Sequence, residues 1–176
     1  ATELGVELIS GCELSCESEG AGPRGSMHVL VYFVEPGEGP LQDELARLLR
    51  VRRDRNERLV ARLQDLGMDV TFDDLVRAAG KEEGIGRPNI AAVLVAKGYA
   101  DSIQDAFDKW LAKGRPGYVE KRRLAPADAL RLARASGGVP VLAHPLSLDR
   151  RGESLRSMID ELAGRVLADR RGQEAE

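Results

Sequence analysis

What most constrains this chain is where its strand-like runs fall. His28-Val29-Leu30-Val31-Tyr32-Phe33 lies near one end and Val139-Pro140-Val141-Leu142-Ala143 near the other. Both are rich in the β-branched and aromatic residues that suit strands. The stretch between them carries helical periodicity. An earlier apolar run, Val6 to Ile9, ends at Ser10-Gly11 and reads as a short buried strand. Glu13-Leu14-Ser15-Cys16 continues it as extended chain, and the glycine-rich segment Glu17 to Ser26 reads as a loop or hairpin connection.

Pro36-Gly37-Glu38-Gly39-Pro40 breaks the strand pattern. From there Leu41, Leu45, Leu48 and Leu49, then Leu59, Leu63 and Leu66, recur at helical spacing in a helix or helix pair stopped by Gly67. Thr71 with Asp74 has the form of an N-cap and its acidic partner, for a helix ending near Ala79-Gly80. Pro88 suits the first turn of a helix running to Gly98, and Ser102 caps another that holds Ala106, Phe107, Trp110 and Leu111. Pro126 opens a further helix to about Ala135, closed by Gly137-Gly138, and a buried strand, 139–143, leads into His144-Pro145. The pattern predicts an α/β fold in which residues 1–40 and 121–164 form the strand-bearing part. Residues 41–120 form a helical insertion, and 165–176 a charged, poorly ordered tail.

Composition narrows the function classes. With 26 basic and 29 acidic residues the formal charge is −3, so nothing draws the whole chain to nucleic acid or an anionic membrane. No segment approaches the roughly 18 to 20 apolar residues of a membrane span, and no signal segment is visible. Cys12 and Cys16 lie too close together to staple a fold, and no second pair completes a zinc site, so reduced thiols in a cytoplasmic protein are expected. The chain begins at Ala1, directly before a fold-like run, and an incomplete or processed chain is an expectation from the outset.

The chemistry rests on few residues. There are only two histidines: His28 opens a strand after the glycine-rich loop, and His144 directly follows an apolar strand. In α/β folds strand ends gather side chains at one mouth. Glu13, just past the first strand, can reach the same mouth. One carboxylate and two imidazoles make a partial ligand set for a divalent transition metal, while a histidine that merely caps a strand end is the plainer alternative.

Several local patterns occur in order: Gly11-Cys12-Glu13-Leu14-Ser15, His28-Val29-Leu30-Val31-Tyr32, an Arg-rich helix with Arg52 and Arg55, and Gly86-Arg87-Pro88-Asn89-Ile90-Ala91. Ala106-Phe107, Gly114-Arg115-Pro116-Gly117-Tyr118-Val119 and Gly137-Gly138-Val139-Pro140-Val141-Leu142-Ala143-His144-Pro145 complete the series. Together, over roughly residues 5 to 160, they resemble the PHP (polymerase and histidinol phosphatase) domain family, in its stand-alone phosphoesterase branch. The resemblance implies part of a distorted (β/α)7 barrel with a small helical insertion. It further implies divalent metal ions (Mn, Zn or Fe) and a phosphorylated small molecule or short oligonucleotide as substrate. Glu13, His28 and His144 correspond to metal-binding positions. Arg87 falls in a motif that usually reads G-R-P-H and meets substrate phosphate. Asn89 replaces its histidine, and an amide brings hydrogen bonds without charge. Arg52 and Arg55, solvent-facing by default, are further candidates for phosphate. The family's opening H-x-H pair, its aspartate-histidine motif and its closing D-x-H are missing from this chain. The expectation is therefore a fragment or degenerate member with little or no turnover.

Two other readings stand beside this one. A non-catalytic or regulatory remnant of the same fold would keep the architecture without chemistry. The short helices from Asp73 to Trp110 also superficially permit a helix-turn-helix module, but the helix from Pro88 to Lys97 is mostly apolar where base-reading side chains would be needed. Sequence-specific DNA binding is not expected. Unpaired strand edges would leave association with another copy open.

Overall fold

The computed structural model describes the backbone of residues 2–17, 27–149 and 155–173, and the side chains of 3–17, 27–149 and 155–164. The connection expected at Glu17 to Ser26 lies, beyond Glu17, outside the described residues. In chain order the main elements are β1 (Gly11–Cys16), β2 (Met27–Tyr32), α1 (Pro40–Asp65), α2 (Phe72–Ala79) and α3 (Arg87–Ala96). Then come α4 (Ile103–Ala106), continued as a π-helical turn (Phe107–Leu111), α5 (Pro126–Ala135), β3 (Val139–Leu142) and α6 (Leu155–Gln173). The chain divides into two compact units, one of residues 1–44 and 123–176, the other of 45–122.

In the first unit the strands form an antiparallel sheet in the order β1-β2-β3. The pleat sends alternate side chains to opposite faces. Leu14, Cys16, Met27, Val29 and Val31 are buried on one face, where α5 supplies Ala129 and Ala133. Glu13, Ser15 and His28 occupy the other face. Gly138 precedes β3 where only hydrogen fits: a Cβ would stand 2.6 Å from Val31 Cγ1, 2.7 Å from Val34 Cγ1 and 3.1 Å from the Tyr32 carbonyl oxygen.

Two expectations change here. Val6–Ile9 is not a strand; Val6 and Leu8 are exposed, and the ladder begins at Gly11 opposite Tyr32. An apolar run becomes a strand only where a partner offers backbone hydrogen bonds, and here that partner, β2, pairs with the segment that follows. β3 is half-exposed rather than buried, with Val139 and Val141 on the open face. Pro140, which has no N–H for a ladder, sits in the strand, as proline can where its N–H side goes unpaired. The helix α6 carries Leu155, Met158, Ile159 and Leu162 at helical spacing.

The second unit is helical. Leu59 and Leu63 of α1 pack with Leu75, Ile90, Leu94 and Leu111 in one buried cluster. Leu49 and Leu66 of the same periodic series stay substantially exposed. The expected cap is present: the Thr71 hydroxyl accepts from the Asp74 N–H while the Asp74 carboxylate accepts from the Thr71 N–H. Asp74 also pairs with Lys97 at 2.8 Å and with Arg77 at 2.5 Å. These partners hold its carboxyl well below the usual carboxylate range, the Lys97 hydrogen bond foremost. Gly80 and Gly98 follow their helices with φ of 78° each, a conformation glycine adopts without strain.

Candidate metal centre

Antiparallel pairing is what brings the three candidate ligands together. Ser15 of β1 stands opposite His28, which places Glu13 two residues along on the same face. Leu142, the last residue of β3, stands opposite Val29, and the Ala143 N–H donates to the His28 carbonyl at 3.0 Å. His144 therefore leaves the sheet beside His28. Its backbone is left-handed, φ 30° and ψ 58°, which is uncommon for a residue with a side chain.

Glu13 Oε1 lies 2.6 Å from His28 Nδ1 and 3.4 Å from His144 Nε2, and the two ring nitrogens are 3.0 Å apart. A carboxylate oxygen only accepts, and each imidazole nitrogen offers either a lone pair or a proton. Three such atoms this close need a shared proton or a cation among them. Ligands about 2.0 to 2.2 Å from one divalent ion stand roughly 3.0 to 3.4 Å from each other; both His144 separations fall in that range, while Glu13 and His28 stand at hydrogen-bond distance and would part by about half an ångström to share an ion. Side-chain exposures of 45% for Glu13, 26% for His28 and 47% for His144 leave the cluster open to a ligand. Among the described residues this is the one group of three or more His, Cys, Asp or Glu so arranged. Cys12 and Cys16 take no part: burial pushes both thiols up, Cys16 to about 11, so neither is a ready nucleophile or ligand.

The second unit holds the arginines. Arg55 is not solvent-facing; it is 8% exposed, and Asn56 beside it 1%. Its Nε and Nη2 both donate to Asn56 Oδ1, at 3.3 and 2.6 Å, and among the described residues no carboxylate pairs with it. Burial first, then the charges of Arg87 and Arg52, push its guanidinium down to about 10. Arg52 donates to the Glu83 carbonyl oxygen at 3.2 Å, and Arg87 lies over the Tyr118 ring at 5.0 Å. Asn89 is engaged locally: its Oδ1 accepts the Gly86 N–H at 2.9 Å, capping α3.

No family model matches the chain. Its curated relatives are a nucleotide phosphatase and exoribonucleases. The 3',5'-nucleoside bisphosphate phosphatase of Chromobacterium violaceum is 29% identical over 145 residues, 82% of this chain and 50% of that protein. The 5'-3' exoribonuclease Rnm of Salmonella typhimurium is 28% identical over 160 residues, 91% of this chain and 53% of that one. The chain thus spans about half the length of the curated relatives it matches. Two solved structures resemble it. An amidohydrolase from Chromobacterium violaceum, with bound sulfate and no metal, has a TM-score of 0.68 at 28% identity, covering 91% of this chain and 54% of its own. A protein described as a metal-dependent phosphoesterase, from Bifidobacterium adolescentis, has a TM-score of 0.70 at 28% identity, covering 90% and 56%.

Of the residues singled out from sequence, Glu13, His28 and His144 share one cluster, and Arg52, Arg55 and Arg87 share another. Two residues escaped that reading. Asn56 gives Arg55 its hydrogen bonds, with no sequence signal beyond adjacency. Ser147 meets the His144 ring, and its signal was a hydroxyl three residues past a strand-end histidine.

Proposed function

We propose that the chain is the metal-holding part of a phosphoesterase that acts on a phosphorylated nucleotide or short oligonucleotide. The observation that carries this reading is the convergence of Glu13 of β1, His28 of β2 and His144, two residues past β3, with ligand atoms 2.6 to 3.4 Å apart. In this reading the sheet belongs to a PHP-type (β/α)7 barrel, 41–120 is its helical insertion, and the protein works in the cytoplasm.

Glu13 contributes negative charge through Oε1, His28 a lone pair at Nδ1 and His144 one at Nε2. A divalent ion (Mn, Zn or Fe) bound there supplies Lewis acidity toward a phosphoryl oxygen. Three protein ligands leave coordination positions open, as hydrolytic sites require. In the second unit Arg55, Arg52 and Arg87 bind phosphate. Among the described residues Arg55 has no counter-ion, so an anion would relieve a buried charge that the fold leaves uncompensated, through the paired hydrogen bonds a guanidinium makes. Asn89 assists only through its amide nitrogen, its oxygen being committed to Gly86. The curated relatives, a nucleotide phosphatase and exoribonucleases, support the substrate class.

The test is hydrolysis of an aryl phosphate monoester, an aryl phosphodiester and a short oligonucleotide with Mn2+, Zn2+ or Fe2+ added. Metal-dependent release that Glu13→Gln abolishes supports the reading. Metal uptake without release from any substrate leaves the non-catalytic remnant of the same fold as the better description.

A further inference from the structure

We infer that Ser147 is a positioning residue for His144, holding the ring so that Nε2 is presented to a metal ion. This inference rests on the metal reading above. Ser147 Oγ stands 2.8 Å from His144 Nδ1, on the side of the ring away from Glu13 and His28. An imidazole can give the Nε2 lone pair to an ion only if its remaining proton sits on Nδ1. With Nε2 given to an ion, the Ser147 hydroxyl accepts the Nδ1 proton and fixes the ring plane, as outer partners of metal-bound histidines commonly do.

The local fold builds this contact. The Ala143 N–H is tied to His28 and the Ala143 side chain is buried, which anchors the chain just before the histidine. His144 then turns through its left-handed conformation, and Pro145–Ser147 forms a 3-10 turn. The Ser147 N–H donates to the His144 carbonyl at 2.9 Å and the Leu148 N–H to the Pro145 carbonyl at 3.0 Å. Leu148, 6% exposed, seats the turn in the core. The turn folds Ser147 back over the ring that precedes it by three residues. The unusual backbone at His144 is therefore tied to a side-chain contact that aims Nε2 at the cluster.

With only two histidines, 15N labelling of histidine resolves both rings. In the zinc-loaded chain His144 should be bound through Nε2 with the proton on Nδ1, and Ser147→Ala should shift it toward a mixture of ring forms. Zinc affinity, measured by competition with a chromophoric chelator, should fall about 10-fold in Ser147→Ala. Ser147→Thr, which keeps the hydroxyl, should restore both readings. If the parent chain binds zinc and Ser147→Ala binds as tightly with an unchanged tautomer, the role of Ser147 is refuted while the metal reading stands. If the parent chain takes up no zinc, both fall together.

Discussion

Replacing Arg55 with methionine should leave the protein at least as stable and weaken its hold on phosphate. Arg55 is 8% exposed, has no carboxylate partner among the described residues and lies in the field of Arg87 and Arg52. Burial and those two charges push its guanidinium down to about 10, well below the ordinary arginine range. A tenfold loss of proton affinity corresponds to about 1.4 kcal/mol, so holding the charge in the folded protein costs about 3 kcal/mol. The sign follows from linkage. A base whose pKa is depressed on folding carries this penalty in full below about pH 10 and loses it as the pH rises into the ordinary arginine range. Methionine fills a similar volume without charge, as when buried ions are exchanged for apolar residues. Against the gain stands the cost of leaving the buried Asn56 Oδ1 without the two Arg55 donors, about 1 to 3 kcal/mol. The net expectation lies between no change and a stabilisation of about 2 kcal/mol at pH 7, read from urea unfolding followed by Trp110 fluorescence. Inorganic phosphate should raise the midpoint of the parent chain and leave Arg55→Met almost unmoved. A less stable variant, or equal stabilisation of both proteins by phosphate, would refute the argument.

Other substitutions probe the scaffold. Gly138→Ala places a methyl 2.6 Å from Val31 and 2.7 Å from Val34, and should cost about 1 to 3 kcal/mol by overpacking in thermal denaturation. Gly164→Ala meets nothing within 4 Å in α6 and should be neutral or stabilise by up to about 1 kcal/mol. Thr71→Ala removes one half of the capping box and should cost about 1 kcal/mol by urea unfolding. Because Asp74 is depressed in the folded chain, its stabilisation is present above about pH 4 and disappears as the pH falls through its folded pKa. Asp74→Asn should therefore flatten the acid side of the stability profile, and an unchanged profile would contradict that role.

The second unit was largely legible in sequence because its signals are local. Thr71 and Asp74 form a capping box, and Gly80, Gly98 and Gly114 punctuate helices through conformations that only neighbouring residues decide. The sheet was less legible, since pairing is non-local. Val6–Ile9 has the hydrophobicity of a strand, yet β2 pairs with Gly11–Cys16 instead. The half-exposure of Val139 and Val141 depends on what packs against β3, which no pattern within the strand records. At the candidate site the ligand types were visible, but the antiparallel register that joins Glu13 to His28 and His144 was not. The burial of Arg55 was hidden for a similar reason. An arginine on a long helix looks solvated until tertiary packing covers it.

The central claim is that Glu13, His28 and His144 form one metal site, and titration of Zn2+ and Mn2+ into the metal-free chain tests it most directly. The expected result is uptake of at least one ion per chain, weakened at least about 10-fold by each of Glu13→Gln, His28→Ala and His144→Ala. No uptake, or uptake of equal affinity in all four proteins, would contradict the account.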